Sequence, residues 1–310
     1  MANHSGHSMG QTGANARALR ISAWLTGIYF LIELAIGIYT GSVAVISDAF
    51  HTFSAVGGVV LAIVAARIAQ RPADEQRTFG SLRAEIIGAL LNGAFLFAMA
   101  ILVLVMGYMR LQDPIDLPTT PMLLAAAGGI VTEVISLRLL YSGQKGDLNI
   151  KGAFWHVVQT FVGSILIIIT ALVIEFTGFL AIDPILGMAF GVVLLYASWG
   201  IMRDATKILM EGAPADIDLR QVVDRLEALP DVSDVHHVHA WTLTSNKHVL
   251  SAHLRAASEA AAPEVLKEAH ALLRNEFGFH LSTLQIETTC LDEDHAKDLD
   301  FLSVQALAKK

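Results

Sequence analysis

Charge and cysteine are what this 310-residue chain has least of: 16% of its residues are charged, and Cys290 is its single cysteine. One cysteine excludes an intramolecular disulfide framework, and its place near the chain end gives no basis for redox chemistry. Sparse charge, 54% hydrophobic residues and a mean hydropathy of +0.55 together exclude an ordinary water-soluble globule. The net charge of -8, carried mostly by the last third of the chain, argues against nucleic acid as a partner. The opening stretch MANHSGHSMGQTGANARALR lacks the short apolar core of a cleaved signal peptide. Residues 1–18 read as a flexible cytoplasmic tail, in which His4 and His7 are either metal-gathering groups or ordinary polar tail residues.

Apolar sequence is what the chain has in abundance. Runs at about 21–39, 42–66, 86–108, 121–142, 154–175 and 180–202 each supply the ~20 apolar residues that a bilayer core demands. Six transmembrane helices over residues 19–208 follow. Arginine and lysine favour the cytoplasmic side. Arg17 and Arg20 precede the first run; Arg67, Arg71, Arg77 and Arg83 follow the second; Arg138, Lys145 and Lys151 follow the fourth; Arg203 and Lys207 close the sixth. The opposite loops carry Arg110 alone beside Asp113, Asp116, Glu175 and Asp183. Both termini are thereby expected in the cytoplasm, with the bundle in the inner membrane if the chain is bacterial.

From Glu211 the pattern changes, and Gly212 and Pro214 end the last helix. IDLRQVVDRLEAL and PEVLKEAHALLRNEF repeat apolar residues at helical spacing, whereas VSDVHHVHAWTLT, KHVLSAHLRA and LSTLQIETTC read as strands. The order αββαβ over residues 209–292 predicts a small cytoplasmic α+β domain with helices on one face of a sheet. Residues 293–310 form an acidic tail.

Ionisable groups inside membrane spans are costly and mark ion pathways. In SDAFHTFSA, on the second helix, Asp48 and His51 are spaced i, i+3 and share a face. On the fifth helix, FWHVVQT sets His156, Gln159 and Thr160 on one face by the same spacing. Two helices that each offer an imidazole can enclose a divalent ion, since neutral imidazole suits zinc, cobalt, nickel and iron. Glu33 and Glu133 are further intramembrane carboxylates, on the first and fourth helices. The plainer account of such histidines is a hydrogen bond to a neighbouring helix. A hydrolase is disfavoured, because no serine or cysteine nucleophile accompanies them.

These residues resemble the cation diffusion facilitators, proton-coupled exporters of zinc, cadmium, cobalt, iron or manganese. The resemblance runs from about Leu19 to Cys290 and rests on LIELAIGIYTGSVAVISDAFH, RTFGSLRAEIIGALLNGAFL, LNIKGAFWHVV, DPILG and DVHHVHAW. It implies a homodimer paired through its cytoplasmic domains, alternating access, and a transport site of a histidine and an aspartate four apart on the second helix, repeated on the fifth. His51 and His156 match the histidines; Ala55 and Thr160 stand where the aspartates belong. Two imidazoles alone leave about two positive charges of a divalent cation to be stabilised in a low-dielectric site. Three accounts stay open: Asp48 and Glu133 supply replacement carboxylates; the site takes another ion or binds weakly, exchanging against protons through its histidines; or the chain is a transport-incompetent relative acting as metal sensor or dimerising scaffold. The resemblance also implies a cytoplasmic zinc site at His236, His253 and Glu287, with His237 and His239 nearby. Strand alternation sets His237 on the face opposite His236. His248, His270, His280 and His295 are read as surface residues. The arginines of RPADEQRTFGSLR are expected to meet lipid phosphates or acidic groups of a partner subunit.

Overall fold

A computed structural model describes residues 6–142, 148–244 and 247–289. His4, Lys145, Cys290, His295 and the acidic tail lie outside the described residues. Six long helices come first: α1 (Gly6–Thr40), α2 (Val43–Ala69), α3 (Ala84–Gln112), α4 (Thr119–Tyr141), α5 (Leu148–Thr177) and α6 (Ile182–Leu209). Then follow α7 (Leu219–Glu227), β1 (Val232–Thr244), β2 (Lys247–Ala256), α8 (Ala262–Asn275) and β3 (Leu281–Glu287). Among the described residues, five of the long helices are long and apolar enough to cross a membrane, and α2 contributes the apolar segment Val43–Phe53. Helix α1 starts at Gly6, well inside the segment read as a tail. No proline interrupts GHSMGQTGANAR, and each residue added to an existing helix gains a backbone hydrogen bond.

The chain forms two compact units, Met1–Val64 with Gly88–Met202 and Ala65–Ile87 with Arg203–Lys310. In the first, large side chains such as Trp24, Leu31, Leu124 and Tyr196 are exposed. In lipid that outward apolar surface carries no penalty, and helices instead meet through small residues. Gly129 on α4 illustrates this, because a Cβ there would lie 2.5 Å from both Tyr29 Oη on α1 and Ser164 Oγ on α5. The Tyr29 hydroxyl donates to the Ala125 carbonyl at 3.1 Å. Gly41 turns α1 into α2 at φ 70, a left-handed conformation that glycine adopts without strain. The free amides beginning α2 are capped by a residue on α6. Asp183 accepts from the Ser42 hydroxyl at 2.5 Å, the Val43 amide at 2.7 Å and the Ala44 amide at 3.3 Å. A carboxylate here satisfies orphan donors and faces the positive end of the helix dipole.

The second unit holds a sheet of order β1-β2-β3, with β1 and β2 antiparallel and β2 and β3 parallel. The parallel pair needs a crossover, which α8 provides. Val222, Val223 and Leu226 of α7 and Val265, Ala269, Leu272 and Leu273 of α8 bury against Val235, Val238, Leu250, Ala252 and Leu254 of the sheet. Asp218 caps α7 by accepting from the Arg220 amide at 2.9 Å. In the α2–α3 connection Arg83 pairs with Glu211 of its own chain at 2.9 Å, and Arg77 donates to Ser81 at 3.2 Å.

Candidate metal sites

Helices α1, α2, α4 and α5 bury polar residues inside the first unit. The His51 and His156 rings stand 4.9 Å apart by their centroids, and Phe190 meets His51 edge-on at 5.3 Å. Asp48 is buried against α5 at Gly163, where a Cβ would lie 2.1 Å from its Oδ1. Glycine at 163 is what admits the carboxylate. Glu133 accepts from the Ser164 hydroxyl at 2.9 Å, and Glu33 accepts from the Thr52 hydroxyl at 3.5 Å. Asp48 Oδ1 and Oδ2, Glu33 Oε1 and Glu133 Oε2 are buried with no donor among the described residues.

Several expectations change here. Gln159 is exposed and stands outside the cluster. The Thr160 hydroxyl donates to the Val157 carbonyl of its own helix at 3.0 Å. Glu33, a further carboxylate in the sequence, is fully buried and accepts from Thr52 of α2. Tyr29, Gly163, Ser164 and the Asp183 cap had no signal in the local sequence. Ala55 lies on α2.

A second cluster forms on the sheet. His236 of β1 lies opposite His253 of β2, and Arg255 opposite Glu287 of β3. His236 Nε2 is 2.8 Å from Glu287 Oε1, and His236 Nδ1 is 2.8 Å from Asp234 Oδ2. His253 Nδ1 is 3.7 Å from Glu287 Oε2. A neutral imidazole donates from one nitrogen only. With a carboxylate at each nitrogen, His236 calls for a cation, proton or metal, on one side. The donor set His, His and Glu, with Asp234 orienting one imidazole from behind, suits zinc.

His237 is not on the opposite face. The β1–β2 register slips between His236 and His239, and His237 has φ 49. A bulge residue in a left-handed conformation breaks the two-residue alternation on which the expectation relied. His236, His237 and His253 each present a ligand atom, all within 4.8 Å of one another. His239 is exposed. His248 and His270 are half-buried, and their Nδ1 atoms meet the Thr242 hydroxyl at 3.0 Å and the Ser282 hydroxyl at 2.6 Å. His280 is exposed, as expected.

Long apolar helices that bury carboxylates and imidazoles, followed by a sheet domain with clustered histidines, define a multi-pass membrane protein. Residues 19–210 match the cation efflux transmembrane domain, and residues 214–289 match the cation efflux protein cytoplasmic domain. The chain belongs to the cation efflux family, whose members are transporters. It is 37% identical to the metal cation efflux system protein CzcD of Cupriavidus metallidurans, over 94% of this chain and 93% of that protein. It is 31% identical to the cadmium, cobalt and zinc/H(+)-K(+) antiporter of Bacillus subtilis, over 94% of each. The zinc transporter ZitB of Escherichia coli is 30% identical, over 88% of each.

Proposed function

We propose that this protein exports a zinc-like divalent cation from the cytoplasm in exchange for protons, through a site built on His51 and His156 with Asp48, Glu133 and Glu33 as its carboxylates. The observation that carries the reading is the 4.9 Å approach of the two imidazoles, on helices that also bury Asp48. The charge logic supports it. Without aspartates at 55 and 160 the imidazoles bring no compensating charge, and nearby carboxylates supply what a dehydrated divalent ion requires. When the ion leaves, protons take its place, since three mutually repelling carboxylates cannot stay ionised together in a low dielectric. Alternating access then moves ion one way and protons the other. The relatives named for zinc, cadmium and cobalt support this cargo class.

In this reading the protein is a homodimer in the inner membrane with both termini cytoplasmic, and zinc also binds the sheet domain through His236, His253 and Glu287. Reconstituted vesicles with a pH-sensitive dye inside and zinc, cadmium, cobalt, nickel, manganese or iron outside test it. Metal-driven proton flux is expected, and His51→Ala and His156→Ala each abolish it. No flux with any ion would favour a transport-incompetent sensor or scaffold. Flux indifferent to both substitutions would put the pathway elsewhere.

A further inference from the structure

We propose that His237 is a fourth protein ligand of the sheet cluster, closing with His236, His253 and Glu287 a four-coordinate site for zinc or a similar borderline cation within one chain. The proposal rests on the reading of that cluster as a metal site and extends it from an open to a closed site.

The first argument is burial. His237 is 8% exposed, and neither of its ring nitrogens has a hydrogen-bond partner among the described residues. An imidazole taken out of water with both nitrogens unsatisfied is costly unless something on the molecule or bound to it takes one of them. The second argument is aim. The His237 ring lies 5.1 Å from those of both His236 and His253, so it faces the cluster rather than the hydrophobic side of the sheet. The third is backbone. A histidine at φ 49 occupies a conformation that L residues seldom adopt, and such outliers persist where a function over-determines them. The bulge is what turns two sequence neighbours on one strand toward a single point.

The four donors come from all three strands: His236 and His237 from β1, His253 from β2, Glu287 from β3. The three histidine ligand atoms lie within 4.8 Å of one another, and Glu287 reaches His236 Nε2 at 2.8 Å and His253 Nδ1 at 3.7 Å; around one ion the donors settle at about 3.3 Å, the edge of a tetrahedron with bonds of about 2.05 Å. His236 is already oriented for it, because Asp234 holds Nδ1 and leaves Nε2 for the ion. Three protein ligands leave a position for water or exchange, whereas four close the shell. The ion held here is therefore a resident that fastens the three strands together, and it is not cargo in transit.

The test uses full-length protein in detergent, in a His51→Ala, His156→Ala background so that the membrane pair adds no signal, with Co2+ alone as the probe. The background protein is expected to bind Co2+ with the strong visible absorption of a four-coordinate ion. His237→Gly, which suits the positive φ and removes only the imidazole, is expected to weaken Co2+ binding by at least about tenfold and to shift the spectrum to the paler one of higher coordination. Its metal-free melting temperature should not fall, while the rise in melting temperature on adding Co2+ shrinks. His239→Ala, on the same strand, should leave affinity and spectrum unchanged. If His237→Gly keeps the parent affinity and spectrum while His253→Ala loses both, the fourth ligand is refuted and the three-residue site stands. If His253→Ala also changes nothing, the sheet is not the metal site and both readings fall.

Discussion

Replacing Gly163 by alanine tests the membrane site with a single methyl group. An added Cβ would sit 2.1 Å from Asp48 Oδ1 and 2.5 Å from its Cγ, where ordinary contact begins at 3.4 Å. The carboxylate must recede by about 1.3 Å, or α2 and α5 must separate, and overpacking of this kind costs about 1–3 kcal/mol. Expressed as a weaker loaded state, that range corresponds to about 5- to 150-fold. Gly200→Ala provides the control, since a Cβ there meets nothing within 4 Å. Initial rates of zinc-driven proton flux should fall by about that factor for Gly163→Ala at subsaturating zinc and stay at the parental value for Gly200→Ala. Equal rates for the two variants would refute the assignment of Asp48 to the pathway, because no occupied position of Asp48 survives the methyl group unchanged.

Two further tests separate charge from architecture. Ala55→Asp combined with Thr160→Asp should raise zinc affinity in calorimetry, because it adds two carboxylates within reach of His51 and His156 by the four-residue helical spacing; unchanged affinity would overturn the charge argument. Asp183→Ala removes the cap of α2 and leaves the Val43 and Ala44 amides without their acceptor. A loss of about 2 kcal/mol follows, read as a lower melting temperature in detergent, with Asp183→Asn intermediate.

The membrane spans and the αββαβ order could be read from residues alone, because a helix that crosses lipid must be long and apolar and a half-buried strand alternates by the geometry of its backbone. His51, Asp48 and His156 stood out as candidates for the same reason: an ionisable group within such a run is conspicuous wherever the helix is turned. The pair His253 and Glu287 was legible through the family likeness, and the sheet brings both to His236.

What the linear pattern could not carry is whatever depends on which side of an element faces which neighbour. Gln159 shares a spacing with His156 yet is exposed, since helix rotation is set by packing. Gly163 became informative only once α2 lay against it, and Asp183 became a cap only when α6 met the start of α2, 140 positions away in Val43. His237 is the sharpest case. A period of two holds for a regular strand, and one residue at φ 49 cancels it, turning a histidine read as pointing away into part of the cluster. Sequence alone determined that this chain crosses a membrane with imidazoles and carboxylates inside it. Tertiary packing decided which of them meet, because contact between distant elements is settled by rotation, register and close approach rather than by composition.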